Sequence, residues 1–419
     1  MKKIIISEYG YIGCDERKGK EKFIHHTSLS KKEFKELYDF WLNNKETQKV
    51  FEFESKECLK ATNYVGVIQT PSLSIEILPK IYNGVDEIKI RTIFIEMLKT
   101  IYGLNELQIN KAHLSDTKQD IFEIFITLFV EEMNKLIHKG LKNDYILQEN
   151  NQNFLKGKLK FSEHLKRNFI HKERFFVEYD DYLQDRVENR LLKSTINLLL
   201  KKTKNHQNKK HLRQQLFIFD NVRFSNDYKN DISKINIYRA KHYHLPLELA
   251  KLFLQKFSFT SMSGDNNVYA LLFPMQKVFE NYLEIVLNNS KDILNIDKII
   301  PNGGKNEYLI QSDKCKIANL QPDYLIIKNK QNIIADAKWK LLKKCEISSN
   351  DVYQMFAYLH FYNTDIAYLL TPKIENSKTK EFEYINSNNK IIIVPLDLEE
   401  MITKNHHKLF FNFIKEKYE

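Results

Sequence analysis

The sequence predicts a multidomain protein of mixed α/β and α+β class, with a β-rich N-terminal domain, a helical middle domain and a C-terminal domain built on a mixed sheet. Its 419 residues exceed what one ordinary core organises, so two or three domains are expected. A hydrophobic share of 42% with only 11 Gly is typical of packed helices and sheets rather than of disorder. Changes in the apolar pattern place the domains at 1–110, 111–265 and 266–419.

The N-terminal region combines strands with two helices. Ser30 and Glu33 form a capping box, and apolar residues follow at helical spacing through residues 34–42. Two β-branched runs, TNYVGVIQT at 62–70 and LSIEILPKI at 73–81, predict a hairpin because Pro71 and Ser72 separate them. A second helix is expected from about Asp86 to Tyr102.

The middle region is expected to be mainly helical. The segments IFEIFITLFVEEMNKLIHKGL, which ends near Gly140, and VENRLLKSTINLLLKK have the apolar content and length of packed helices. Residues 201–213 carry six Lys or Arg and no acid. A charge run of this kind favours a solvated loop over a DNA contact.

The C-terminal region alternates helices and strands. ALLFPMQKVFENYLEIVL at 270–287 predicts one long amphipathic helix. PDYLIIK, NKQN and IIADAKWK predict a strand, a turn and a second strand. Ser348 and Asp351 predict the start of a helix that runs to about Tyr362, and IAYLL and IIIVP are further strands. This order indicates an α/β domain with a mixed sheet.

Two acids and a lysine in this hairpin are the candidate catalytic residues. Asp336 and Lys338 lie two apart on a predicted strand, so their side chains project from the same face. Asp323 opens the neighbouring strand and can meet Asp336 across the ladder. Two adjacent carboxylates repel each other unless a cation lies between them. This predicts a site for Mg²⁺, with Mn²⁺ as an alternative, for phosphodiester hydrolysis.

Lys338 has a predicted role beside that site. It can orient or deprotonate the attacking water, or stabilise charge on the phosphate. The competing interpretation is an ordinary solvent-exposed ladder with an acid in each strand. The apolar surroundings of Asp336 favour the functional interpretation, because an unpaired charge is costly in such a strand.

Two helices add further candidates. Glu280, in the helix before the sheet, can supply a third carboxylate, although an exposed helix acid is the alternative. Gln354 and Tyr358 lie one helical turn apart, so both can point towards the site.

Charge and cysteine content narrow the class of partner and the compartment. A formal net charge of +11 and a pI near 9.1 favour a polyanionic partner, although a composition bias towards Lys and Asn is the alternative. The four cysteines form no C-x-x-C pair, which predicts a reducing cytoplasm. No apolar run is long enough for a signal peptide or a membrane span, and no P-loop motif is present.

At the candidate site the chain resembles the P-D-(D/E)-x-K nuclease superfamily. More narrowly, it resembles the McrC family, the nuclease subunits of McrBC modification-dependent restriction systems. The segments that carry the resemblance are YVGVIQTPSLSIEILPKI, FLKGKLKFSEHLKRN, VENRLLKSTINLL, LLFPMQKVFENYL, QPDYLII and IIADAKWK. The resemblance implies a restriction-endonuclease-like C-terminal domain. It assigns catalysis to Asp323, Asp336, Lys338, Glu280 and Gln354, and metal binding to Asp323, Asp336 and Glu280.

The resemblance also implies a partner. An McrB-like AAA+ hexamer would bind GTP and recognise methylcytosine-containing double-stranded DNA, while this chain would dock on it through the N-terminal domain, stimulate GTP hydrolysis and cut. Two alternatives stay open. One is a non-catalytic adaptor that binds DNA or activates the AAA+ protein, and the other is a nuclease that acts alone in DNA repair.

Overall fold

The computed structural model describes residues 2–14, 26–43, 45–80, 86–107, 120–235, 240–256, 269–303, 307–311, 316–342, 347–374 and 377–403. The chain forms two compact units, Met1–Ile121 together with Ser258–Glu419, and Phe122–Phe257. The predicted domain boundaries at 110/111 and 265/266 lie outside the described residues, so the division into three domains stays a prediction. The mixed α/β class is confirmed.

Two four-stranded sheets form from the described N-terminal residues and one later strand. The strands are β1 Lys2–Ser7, β2 Tyr11–Gly13, β3 His26–Ser28, β4 Phe51–Ser55, β5 Cys58–Ala61, β6 Tyr64–Gln69 and β7 Leu73–Leu78, joined by β11 Tyr269–Pro274. The orders are β1-β7-β6-β11 and β3-β2-β5-β4. The helices are α1 Lys31–Asn43, α2 Lys45–Gln48 and α3 Glu87–Ile101.

The local predictions for this region are confirmed. Strands β6 and β7 pair antiparallel as the expected hairpin. The capping box forms, since the backbone N–H of Ser30 donates to Glu33 Oε2 at 2.8 Å and that of Glu33 donates to Ser30 Oγ at 3.3 Å. Helix α1 buries Phe34, Leu37 and Phe40 against the sheet. The apolar pattern therefore identified most of the packed face of this helix, but it included Leu42, which is 53% exposed, and missed the buried Phe40.

The predicted start of the helix over 270–287 is wrong, because its first residues form strand β11. The single helix expected over 270–287 begins only at Met275, and the residues before it pair antiparallel with β6. Pro274 explains the break, because its ring disfavours helical backbone at the residue before it and its missing N–H suits a helix start. Gly66 makes the pairing feasible, since it has φ +135° and a Cβ there would lie 1.9 Å from the Leu271 carbonyl oxygen.

The second unit contains helices and a sheet that was not predicted. Its helices are α4 Ile121–Lys139, α5 Phe161–Arg167, α6 Val187–Lys202, α7 His206–Ile218, α8 Tyr228–Ser233 and α9 His244–Lys256, with a 3₁₀ turn at Lys241–Tyr243. Strands β8 Asp144–Gln152, β9 Lys158–Leu159 and β10 Phe175–Leu183 form an antiparallel sheet in the order β8-β10-β9. Strand β8 is largely polar, so it lacks the alternation that reveals a half-buried strand.

The basic run at 201–213 also differs from its prediction. Residues from His206 onwards form the start of α7, with Asn205 Oδ1 accepting from the backbone N–H groups of Gln207 and Asn208. The predicted loop is therefore wrong for most of the run. Lys and Arg have good helix propensity, and Asn205 supplies an N-cap, so charge alone was a poor guide to local structure.

The C-terminal region contains a six-stranded mixed sheet and a two-stranded ribbon within the described ranges. Its strands are β12 Lys298–Pro301, β13 Tyr308–Gln311, β14 Lys316–Asn319, β15 Tyr324–Lys328, β16 Gln331–Ala337, β17 Ile366–Pro372, β18 Lys380–Glu383 and β19 Lys390–Leu396. The sheet order is β12-β15-β16-β17-β19-β18, and the ribbon pairs β13 with β14. The helices are α10 Met275–Asn289, α11 Ser349–Phe361 and α12 Leu398–Thr403.

The predicted hairpin, helix and strands of this region are confirmed. Strands β15 and β16 pair antiparallel through a turn whose residues Asn329 and Lys330 have φ of 50° and 63°, as tight hairpin turns require. Strands β16, β17 and β19 run parallel. Helix α11 covers one face of the sheet, and α10 packs against α3 and β16. No helix among the described residues has the length and apolarity needed to cross a bilayer.

Candidate active site

Asp323, Asp336 and Lys338 meet at one end of the β15–β16 hairpin. The register pairs Tyr324 with Ala335, which places Asp323 beside Asp336 at the next position. Asp323 Oδ2 accepts a hydrogen bond from the backbone N–H of Ala337 at 2.8 Å. Lys338 Nζ lies 2.7 Å from Asp336 Oδ2. The structure therefore brings together the three residues that the pattern of acids and lysine predicted to be neighbours.

Helix α11 contributes to the same cluster. Lys338 Nζ donates to Gln354 Oε1 at 3.1 Å, and Gln354 Nε2 donates to the Tyr358 hydroxyl at 2.8 Å. The backbone N–H of Lys338 is held by the Leu370 carbonyl at 2.8 Å. The ammonium is thus oriented by Asp336 on one side and by Gln354 on the other.

Glu280 lies near the cluster, but its carboxylate is engaged by its own helix. Glu280 Oε1 accepts from Gln276 Nε2 at 2.8 Å, and Oε2 accepts from Lys277 Nζ at 2.9 Å. Across the described part of the chain, no three or more His, Cys, Asp or Glu side chains are arranged to hold a metal ion. The role of Glu280 as a third metal ligand stays a prediction.

Gln276 is a site residue that the sequence did not reveal. Its Nε2 donates to the Ala337 carbonyl at 2.7 Å, and its Oε1 accepts from the backbone N–H of Trp339 at 2.8 Å. These two bonds fix the backbone on both sides of Lys338. Its position one helical turn before Glu280 is a weak signal, because it indicates a shared helix face but no particular contact.

Burial controls the charges of the two aspartates. Burial, reinforced by the charges of Asp336 and Glu280, raises the pKa of Asp323 to about 8. Burial also raises the pKa of Asp336, although the Lys338 ammonium opposes that rise. For Lys338 itself, burial acts to lower the pKa, but the carboxylates of Asp336 and Asp323 outweigh it and the pKa is raised. Lys338 therefore stays cationic, and the raised pKa of Asp323 favours a proton on that carboxyl at neutral pH.

The donor atoms suit a hard divalent cation. Asp336 Oδ2 is buried and receives no well-aligned hydrogen bond from the described residues, so attraction to the Lys338 ammonium holds it rather than a directed bond. Two neighbouring carboxylates are oxygen ligands of the kind that Mg²⁺ takes together with water. The residues present therefore fit a magnesium ion bound through Asp323 and Asp336.

Comparisons with known proteins agree on one family. The sequence model of the McrBC family, described as a 5-methylcytosine restriction system component, matches residues 59–372. A search of curated proteins gives no match. A chain of the solved half-complex from the tetradecameric assembly of Thermococcus gammatolerans McrB AAA+ hexamers with bound McrC is similar in fold. It has 20% identity and a TM-score of 0.71, with 98% of this chain and 100% of that chain covered.

A second solved structure, of the Thermococcus gammatolerans McrBC complex, has a chain with 21% identity and a TM-score of 0.50. The match covers 74% of this chain and 90% of that chain. Both likenesses establish a shared fold. The family match spans most of the chain, including the hairpin with Asp323, Asp336 and Lys338, and it confirms the family that the sequence predicted. The chain belongs to the McrBC family of 5-methylcytosine restriction system components.

Proposed function

We propose that this chain is the Mg²⁺-dependent endonuclease subunit of a McrBC-like restriction system that cuts methylcytosine-containing double-stranded DNA. The observation that carries the proposal is the cluster at the hairpin end, where Lys338 Nζ lies 2.7 Å from the buried Asp336 and Asp323 bonds the intervening backbone. A structural ladder has no need of a buried and a half-buried acid side by side, because neighbouring carboxylates repel each other and burial is costly for a charge. A metal-dependent nuclease site needs both.

The chain's own residues have distinct tasks in this proposal. Asp323 and Asp336 hold the metal, and a bound Mg²⁺ supplies Lewis acidity and lowers the pKa of water at the scissile phosphate. Lys338 places a positive charge where negative charge develops on the phosphate. Gln354 holds the Lys338 ammonium in position. Gln276 fixes the backbone around it.

The proposal includes a partner. The similar solved chains come from assemblies of McrB AAA+ hexamers with bound McrC, and the sequence of this chain has no P-loop of its own. An McrB-like AAA+ GTPase would therefore bind GTP and drive movement on DNA, while this chain docks on it and cuts in the reducing cytoplasm. Mn²⁺ is expected to replace Mg²⁺, because it accepts similar ligands.

The test is cleavage by Asp336→Asn in the complex with the AAA+ partner, GTP and Mg²⁺. The amide keeps the shape of the side chain but removes its charge, so we expect cutting to fall by a factor of about 10³ or more, as losses of an essential catalytic group do. The matched control is Asp397→Asn, which breaks another Asp–Lys pair in the same unit, 3.1 Å from Lys373. Undiminished cutting by Asp336→Asn, with GTP hydrolysis still stimulated, would instead favour the non-catalytic adaptor.

A further inference from the structure

A cavity adjoins the proposed nuclease site. It has a volume of about 240 Å³ and is lined by Tyr9, Lys80, Trp339, Lys340 and Leu341. Three of these residues follow Lys338 directly along the chain. The backbone N–H of Lys340 donates to the Lys338 carbonyl at 2.8 Å, which makes a tight turn centred on Trp339. The cavity is therefore lined by the segment that directly follows Lys338, the residue that would act on the scissile phosphate.

A buried carboxylate joins the two walls of this cavity. Glu8 Oε2 accepts hydrogen bonds from the backbone N–H of Lys80 and from Trp339 Nε1, each at 2.9 Å. Glu8 is fully buried, and the Trp339 ring also packs on Phe279 with 5.2 Å between ring centroids. Glu8 thus joins the segment after β7 to the segment after β16, so the backbone of the two walls is preorganised.

The lining combines positive charge with an aromatic surface. Lys80 Nζ lies 5.7 Å from the centroid of the Tyr9 ring, and Lys340 Nζ forms a pair with Asp351 at 2.7 Å. Tyr9 is 37% exposed, so part of its ring faces solvent. Two lysines beside an aromatic ring are the combination that binds a nucleic-acid backbone, because the ammonium groups contact phosphate and the ring contacts sugar or base.

We propose that this cavity binds a backbone phosphate of the DNA strand next to the scissile phosphate, with Lys80 and Lys340 as the cationic contacts. The inference rests on the proposed nuclease function. It assigns to Lys80, in the N-terminal part of the chain, a contact with substrate rather than with the partner. Lys340 donates two hydrogen bonds to the Asp351 carboxylate, so the third N–H of its ammonium group would bind the phosphate. Glu8 lies behind the lining and holds its backbone.

The test is the salt dependence of duplex DNA binding by the full-length chain in EDTA, where no metal-dependent cutting interferes. Each lost phosphate contact should reduce the slope of log K against log salt by about 0.9. Lys80→Gln and Lys340→Gln should each give that reduction and weaken binding about five- to tenfold at roughly 0.1 M salt. The matched control is Lys60→Gln, because Lys60 also lies over a tyrosine, 5.9 Å from the Tyr11 centroid, but does not line the cavity.

The outcomes separate this inference from the proposed function. Unchanged slopes for both cavity variants, or an equal reduction by Lys60→Gln, would overturn it even if the wild-type chain cuts DNA with Mg²⁺. Reduced slopes for the two cavity variants alone would support it even if no cutting occurs, in which case the proposed function fails by itself. If millimolar inorganic phosphate binds the chain and both lysine variants lose that binding while their DNA binding is unchanged, the cavity is a free-anion site. That result would also overturn the inference.

Discussion

The buried carboxyl of Glu8 makes stability depend on pH, and Glu8→Gln should remove that dependence. Burial raises the pKa of Glu8 from 4.5 to about 7, although hydrogen bonds from Lys80 and Trp339 and the charge of Lys80 act to lower it. Its Oε1 has no hydrogen-bond partner in the part of the chain that the structure describes. A glutamine keeps the accepting oxygen and carries no charge at any pH.

The magnitude follows from linkage between protonation and folding. The folded state keeps the Glu8 proton between pH 4.5 and about 7, whereas the unfolded state has lost it. The stabilising effect is therefore complete below pH 4.5 and is lost as pH rises through about 7. At about 1.4 kcal/mol per pKa unit, a difference of about 2.5 units corresponds to about 3.5 kcal/mol over the whole titration. The neighbouring Tyr9 stays neutral in this range, because burial and Glu8 raise its pKa.

Urea unfolding at pH 5 and pH 8, followed by tryptophan fluorescence, measures this effect. From pH 5 to pH 8 the wild type should lose about 2.5 kcal/mol more stability than Glu8→Gln, because part of the effect is already lost at pH 5. The exposed Glu52 offers the control variant Glu52→Gln, which should follow the wild type. Equal pH dependence of the wild type and Glu8→Gln would refute the account of Glu8 as a buried carboxyl that must ionise on unfolding.

Two further substitutions test the framework around the site. Gly66→Ala should destabilise the protein by more than about 2 kcal/mol, because the new Cβ would meet the Leu271 carbonyl oxygen at 1.9 Å. The control Gly103→Ala has φ +65° but no atom within 4 Å of the new Cβ, so it should cost about 1 kcal/mol. Equal unfolding midpoints for the two variants would contradict this prediction. Gln276→Leu should lower kcat for cleavage about 10- to 100-fold with KM little changed, as losses of supporting contacts do, and a wild-type kcat would show that the bonds to Ala337 and Trp339 are not needed.

The hairpin that carries the candidate site could be predicted because its signals are local. Alternating apolar residues, the turn at Asn329 and Lys330, and the fixed two-residue period of a strand together place Asp336 and Lys338 on one face. Pairing across the ladder then brings Asp323 to Asp336. Local signals of the same kind also identified α1 and α11 through their capping residues.

The features that were missed depend on contacts between distant segments. Strand β11 has the apolar spacing of a helix, and its partner β6 lies about 200 residues earlier in the chain, so nothing near it favours a strand. Glu8 and Trp339 are separated by 331 residues, and neither side chain stands out alone. Gln276 contributes through hydrogen bonds to the backbone at the end of β16 and just after it. Every residue type has these backbone groups, so the sequence of β16 does not reveal the contact.

The central claim is that a divalent cation binds where Asp323 and Asp336 converge beside Lys338. Its most direct test is titration of the full-length chain with Mn²⁺, counting bound ions by electron paramagnetic resonance and competing with Mg²⁺. We predict that the wild type and Asp397→Asn bind Mn²⁺ at a site from which Mg²⁺ displaces it, and that Asp323→Asn and Asp336→Asn lose that site. Retention of the same site by both aspartate variants would contradict the claim.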